Sequence, residues 1–200
     1  MGSMKTKSVT TSDEPIRFVP NREFPAYSYV PGKFPHPISD PAGHSFGKEH
    51  PTPAPLDPDN WQSCEDYLYG LDLFNHGFYW EAHETWEGLW IACGRTGVTA
   101  EFLKGLIKLA AAGVKACEGN SAGVQRHANR AAELFEFVDS PQGLGNPRFM
   151  GLEISGLIRV SHALKSRSRL LVGPLEQASA VSFCQFVLTP ALDCRVRRTK

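Results

Sequence analysis

Imidazole and carboxylate side chains are concentrated in one short segment of the 200-residue chain, the sequence FNHGFYWEAHETWEGLW at residues 74–90. His83 and Glu87 are four residues apart, so on an α-helix they lie on adjacent turns of one side, where Glu87 can accept a hydrogen bond from the imidazole. Glu84 lies on the flank of that side. These three are the candidate catalytic residues, either as groups that share a proton or as ligands of a metal ion.

The metal interpretation needs more ligands than this pair supplies. His-x-x-x-Glu provides two ligands, whereas catalytic zinc sites normally have three from the protein. Further ligands could come from the segment PGKFPHPISDPAGHSFG, residues 31–47, which contains His36, Asp40 and His44. The alternative is that these side chains bond the local backbone in turns, which the neighbouring prolines and glycine favour. A divalent metal shared by the helix and this segment is therefore an alternative that the sequence does not favour.

A helical-wheel projection of residues 78–93 gives one apolar stripe with polar residues around it. The stripe consists of Tyr79, Ala82, Trp86 and Trp90. His83 falls inside the stripe and is predicted to be buried, while Glu81 and Thr85 point away from it, towards water. His83 is then either a core histidine satisfied by Glu87 or part of a functional site, and the sequence leaves both interpretations open.

Proline separates the chain into an arm and a body. Eleven of the 15 prolines lie in residues 1–60, and proline removes a backbone donor and disfavours helix in the preceding residue. We therefore expect residues 1–60 to form an extended, irregular arm. Its aromatic residues would be costly to leave in water, so the arm should pack on the body. They are Phe18, Phe24, Tyr27, Tyr29, Phe34 and Phe46.

Residues 61–170 have the spacing of apolar residues that is typical of helices. Asp59 or Asn60 can cap the first helix, and Gly77 can end it in a left-handed turn. The predicted helices are 61–76, 78–93, 98–119, 121–138 and 152–166. The fold class is therefore an all-α, single-domain bundle of about five helices. Residues 171–200 form a C-terminal extension, in which AVSFCQFVL is compatible with helix or strand and RVRRTK is a basic tail.

The composition excludes several classes of function. The 21 basic and 21 acidic residues cancel, so no overall charge attracts the protein to nucleic acid. No apolar run is long enough to span a membrane, and the start of the chain lacks the apolar core of a secretory signal. The five cysteines contain no CxxC pair, which favours a reducing compartment, and we expect the cytoplasm. Phosphate-binding loops, nucleophile elbows and dinucleotide fingerprints are also missing from the sequence.

Over residues 64–138 the chain resembles the domain of unknown function 309 family. The resemblance is carried by LFNHGFYWEAHETWEGLW, FLKGLIKLAAAGVKACEGN and SAGVQRHANRAAELF. The matching residues are Asn75, Gly77, Glu81, Ala82, His83, Glu84, Glu87, Trp90, Gly105, Leu106 and Ile107. The resemblance implies a compact helical bundle and no established reaction. Lys108 replaces an expected glutamine, and a cation there could pair with Glu84 or Glu87 and oppose a divalent metal.

Two functions follow, and the sequence does not decide whether the protein is an enzyme. The first is a ligand-binding or protein-interaction module, with an unidentified small molecule, a protein or a second copy of the chain as partner. Its expected ligand-binding residues are Asn75, Trp80, Glu84, Trp90 and Lys108. The second is a metal-dependent hydrolase using His83 and Glu87.

Overall fold

The computed structural model describes residues 15–49, 51–143, 145–172 and 187–191. It confirms a helical bundle with five α-helices: α1 (Glu65–Asn75), α2 (Tyr79–Ala92), α3 (Val98–Cys117), α4 (Ser121–Asp139) and α5 (Ile154–Arg167). A 3-10 helix, Pro58–Ser63, precedes α1. Two short strands, β1 (Arg148–Phe149) and β2 (Leu152–Glu153), form an antiparallel pair before α5.

The first α-helix begins later than the sequence predicted. Trp61 is buried within the 3-10 helix Pro58–Ser63, and regular α-helix begins only at Glu65. The Asp57 side chain caps this 3-10 turn by accepting a hydrogen bond from the backbone N–H of Asp59 at 3.0 Å. The predicted capping residues therefore lie inside a separate turn, because the proline at position 58 starts a helical turn at that point.

Other boundaries lie where the local sequence predicted them. Gly77 ends α1 with a φ of 84°, a conformation that favours glycine. Asn120 caps α4, and its side chain accepts a hydrogen bond from the backbone N–H of Gly123 at 2.8 Å. Both interactions span only a few residues, which is why the predicted boundaries at Gly77 and Ser121 agree with the structure.

The central helix of the bundle is α3, which packs against both α2 and α4, while α1 packs on α2 and α5 on α4. Its glycines allow close approach. A Cβ atom on Gly113 would lie 2.5 Å from Cγ of Tyr79 in α2, and one on Gly105 would lie 2.5 Å from Cε1 of Phe135 in α4. Aromatic rings therefore occupy the space above each glycine and set the register between neighbouring helices.

The hairpin of β1 and β2 was not predicted, and the sequence indicated only a loop before Gly151. The two strands are joined by Met150 and Gly151, with φ values of 44° and 80°. The turn has Met-Gly in place of the usual Asn-Gly signal, and methionine is uncommon with a positive φ. The sequence therefore did not indicate a hairpin here. The hydroxyl of Tyr67 donates to the carbonyl of Met150 at 2.9 Å and holds this turn against α1.

The arm lies against α1 and α2, and it is attached through two buried carboxylates. The backbone N–H groups of Phe18 and Val19 donate to Asp72 of α1 at 2.7 and 2.8 Å, and Asp72 is fully buried. The backbone N–H of Tyr29 donates to Glu81 of α2 at 2.9 Å. Hydrogen bonds from an irregular backbone therefore attach the arm. Of the aromatic residues predicted to pack there, Phe34 and Phe46 are instead exposed.

None of the helices within the described ranges combines the length and apolar composition needed to cross a membrane. The start of the arm, residues 1–14, lies outside the described residues, as do the basic tail RVRRTK and most of AVSFCQFVL.

Candidate functional site

The helix α2 contacts the core through Ala82, Trp86 and Leu89, which are all fully buried. His83 lies at the edge of this face, and 25% of its side chain is exposed. The prediction that His83 is buried was therefore wrong. The core face is centred on these three residues, and this places His83 on the rim rather than in the middle of the buried stripe.

On that rim, His83 comes together with both candidate carboxylates. Its Nδ1 atom lies 3.3 Å from Oε1 of Glu84, so its hydrogen bond is with Glu84 and not with Glu87, the predicted partner. Because the outer side of α2 is partly open to water, the imidazole can turn towards the flank. One ligand atom each from His83, Glu84 and Glu87 nevertheless lies within 4.8 Å of the other two. The cluster thus provides three atoms that are close enough together to coordinate one metal ion.

Lys108 does not form the expected salt bridge with this cluster. Among the described residues, no carboxylate lies within 4.0 Å of its ammonium group. Its charge acts instead on His127 of α4. The pKa of His127 is lowered to about 4, first by burial and then by the positive charges of Lys108, Arg126, Lys115 and His83, in that order.

No role for His127 was predicted from the sequence. It lies in the segment QRHANR of α4, which is typical of a helix surface, and no local motif connects it to His83. A histidine with a pKa of about 4 is neutral at pH 7 and can donate and accept a hydrogen bond. Its position relative to Lys108 depends on the register between α3 and α4, and tertiary packing decides that register.

Trp90 lies near two cations at the end of α2. The guanidinium of Arg95 is 5.6 Å from the centre of its ring, and the ammonium of Lys104 in α3 is 5.8 Å away. Both distances are within the range of cation–π attraction. Its Nε1 atom is buried without a hydrogen-bond partner in the described part of the chain.

Asn75 and Trp80, two predicted ligand-binding residues, make contacts within the protein. The Asn75 side chain donates to the carbonyl of Leu188 at 3.0 Å and accepts from its N–H at 2.8 Å. Trp80 packs edge-on against Tyr29 and His36 of the arm, with ring centres 5.3 and 5.6 Å apart. Asn75 thus attaches residues 187–191 to α1, and Trp80 supports the arm.

The arm residues proposed as further ligands bond elsewhere. Nδ1 of His36 accepts from the backbone N–H groups two and three residues later, both at 3.3 Å. Asp40 accepts from the backbone N–H two residues later at 2.9 Å. These are the local turn bonds that the proline- and glycine-rich sequence gave as the alternative. His44 bonds Glu81, with its Nε2 atom 3.2 Å from Oε1 of the glutamate.

Glu81 is the buried carboxylate of α2, and the prediction that it points to water was wrong. Its side chain is 5% exposed, and its Oε2 atom is buried without a hydrogen-bond partner among the described residues. Burial raises its pKa, while the bonds from Tyr29 and His44 lower it in part. The helical wheel failed here because the arm covers a second side of α2.

A cleft of about 480 Å³ lies where the arm meets α1, and none of the predicted site residues lines it. Its lining residues are Phe18, Val19, Pro20, Asn21, Arg22, Gln62, Ser63, Glu65 and Leu68. Arg22, at this cleft, is bonded to Asp66 at 2.7 Å. The cleft and the cluster of His83, Glu84 and Glu87 on α2 are therefore separate features.

The comparisons with known proteins concern the middle of the chain. The model of the family described as Domain of unknown function (DUF309) matches residues 67–127. This segment runs from α1 into α4 and contains His83, Glu84, Glu87, Lys108 and His127. No curated protein and no solved structure matches the chain. This match confirms the resemblance to the family that the sequence predicted, over residues 67–127.

Proposed function

We propose that the protein is a ligand-binding module whose ligand is a divalent metal ion held by His83, Glu84 and Glu87. The observation that carries this proposal is the convergence of three donor atoms within 4.8 Å of one another. One imidazole nitrogen and two carboxylate oxygens form a mixed donor set that suits Zn²⁺, Mn²⁺ or Fe²⁺.

The charges of the cluster support a cation as the ligand. Within the described ranges, Glu84 pairs with His83 alone, and Glu87 forms no ion pair within 4.0 Å. Since no lysine or arginine of the described segments neutralises these two carboxylates, they repel each other, and a divalent cation removes this repulsion.

Partial exposure of the cluster also supports binding over a purely structural role. A polar pair that serves only to fix helix packing is usually buried and satisfied within the protein. The side chains of His83 and Glu84 are 25% and 38% exposed, so water and an ion can reach them. Glu81, which is buried under the arm, is the better candidate for a structural carboxylate.

Metal titration by calorimetry tests this proposal, using the full chain after chelator treatment and dialysis. We expect one Zn²⁺ or Mn²⁺ per chain, with binding lost in His83→Ala and weakened at least tenfold in Glu87→Gln. The matched control is the exposed pair of His162 and Glu136, whose atoms are 3.1 Å apart. His162→Ala should bind metal like the wild type. Failure of the wild-type protein to bind either ion would refute the proposal.

A metal-dependent hydrolase using His83 and Glu87 is the second candidate. The observation that favours it is the number of donors, because catalytic zinc sites combine three protein ligands with a water molecule. The metal-loaded protein can be assayed with nitrophenyl acetate and nitrophenyl phosphate. Hydrolysis that disappears in His83→Ala but persists in His162→Ala would support an enzyme. Metal binding without such hydrolysis would leave the binding module as the function.

A further inference from the structure

A half-buried strip of α3 lies between α2 and α4. We call this strip, as the floor, and the helix sides that flank it, as the walls, the α3 groove. Both α2 and α4 pack against α3, and the residues between the stripe positions are buried. The stripe itself recurs at three- and four-residue spacing and consists of Glu101, Lys104, Lys108, Ala111 and Lys115. The floor is therefore basic, with one small residue at Ala111.

Two contacts fix the level of His83 along this groove. Tyr79 of α2 packs over Gly113 of α3, and Trp90 lies beside Lys104. The two helices thus run antiparallel, and His83 lies between these contacts, level with the turn of α3 that carries Lys108 and Ala111.

Two further contacts place His127 at the same level on the other wall. Phe135 of α4 packs over Gly105 of α3, and Gly123 packs against the side chain of Lys115. His127 is four residues from Gly123, so it also lies near the Lys108 turn. The electrostatic effects of Lys108 and His83 on His127 agree with this placement.

The lysines of the floor differ in how their charges are satisfied. Lys115 forms a salt bridge with Glu118 at 2.7 Å, and Lys104 lies against the ring of Trp90. Lys108 has neither kind of partner in the part of the chain that the structure describes. An unpaired cation beside a neutral histidine is an arrangement that an oxyanion would complete, because both groups can donate hydrogen bonds to it.

We propose that the α3 groove binds an oxyanion group of a small molecule, a phosphate or a carboxylate, between Lys108 and His127. This inference rests on the proposed function, since the metal ion on His83, Glu84 and Glu87 would contact the same ligand from the α2 wall. A metal that retains open coordination positions and a lysine that acts as a point charge are a common combination for binding phosphate groups.

The test follows the ring of His127 by NMR in the full, metal-free chain as pH is varied. Burial is the largest cause of the low pKa of this ring, and the positive charges of Lys108 and Lys115 from α3, Arg126 from α4 and His83 from α2 add to it. Inorganic phosphate should raise this pKa from about 4 towards its ordinary value of 6.5, because a bound anion offsets those charges. Sodium chloride at matched ionic strength is the reference.

Two variants separate a specific site from general screening. Lys108→Gln should raise the pKa of His127 without phosphate and should remove the phosphate-dependent rise. Arg130→Gln changes a cation of α4 that is paired with Glu133 at 2.8 Å, and it should behave like the wild type. Acetate is the carboxylate probe, and a rise with either anion supports the site. An unchanged pKa with both anions in the wild type, or an equal phosphate effect in Lys108→Gln, would overturn the inference.

The same samples separate this inference from the metal proposal. A phosphate effect on His127 in a protein that binds no Zn²⁺ or Mn²⁺ would retain the oxyanion site and refute the metal site. Metal binding without any effect of phosphate or acetate on the pKa of His127 would retain the metal site and refute the oxyanion site.

Discussion

His44 of the arm and Glu81 of α2 form a buried hydrogen bond, with Nε2 of the histidine 3.2 Å from Oε1 of the glutamate. Both side chains are less than a tenth exposed. The backbone N–H of Tyr29 donates to the same carboxylate oxygen at 2.9 Å. One glutamate thus joins two parts of the arm to the second helix of the bundle.

Glu81→Ala should destabilise the protein by about 1 to 3 kcal/mol, because it leaves the Tyr29 N–H and the His44 ring without their buried partner. Glu87→Ala is the matched control on the half-exposed rim and should cost less than about 0.5 kcal/mol. Chemical denaturation of both variants measures the difference. Equal losses would contradict the role of Glu81 in attaching the arm.

The stability contributed by Glu81 should depend on pH. Burial raises its pKa in the folded protein above the value of 4.5 that applies when it is exposed. The folded protein therefore binds this proton more tightly, so the contribution is fully present below pH 4.5 and is lost as pH rises through the raised pKa. The advantage of the wild type over Glu81→Gln in free energy of unfolding should shrink over that interval. A constant difference across the pH series would contradict the raised pKa.

Gly113→Ala should destabilise the bundle by about 1 to 3 kcal/mol, because the new methyl group would overlap the buried ring of Tyr79. Gly88 of α2 is the control, since a Cβ atom there would lie 3.5 Å from Pro53, an ordinary contact. Gly88→Ala should stabilise the protein by roughly 0.5 to 1 kcal/mol through helix propensity alone. Thermal unfolding should therefore shift in opposite directions for the two variants.

Asn75→Ala should cost about 1 to 3 kcal/mol, because it leaves both backbone groups of the buried Leu188 without their partner. Asn146→Ala is the control for losing an exposed amide, whose oxygen accepts a hydrogen bond from the backbone N–H of Arg148 at 3.1 Å. That change should remain within about 0.5 kcal/mol. Urea denaturation of both variants decides whether Asn75 has a structural role, and equal small effects would refute it.

The sequence determined those features that depend on residues close together in the chain. Gly77 and Asn120 end and begin helices through interactions within a few residues, so these boundaries were predictable. His83, Glu84 and Glu87 converge because a single helix carries them at spacings of one and four, and this cluster could be located without a structure.

Tertiary structure decided everything that depends on what lies opposite each helix. The helical-wheel projection of α2 takes no account of the arm that covers part of this helix. It predicted that Glu81 faces water and that His83 is buried, and both predictions were wrong. The proximity of Lys108 to His127 likewise depends on where Gly105 and Gly113 let aromatic rings pack. The spacing of apolar residues predicts which face of a helix is buried. It does not show which distant segment covers another face, because the packing of the whole chain decides that.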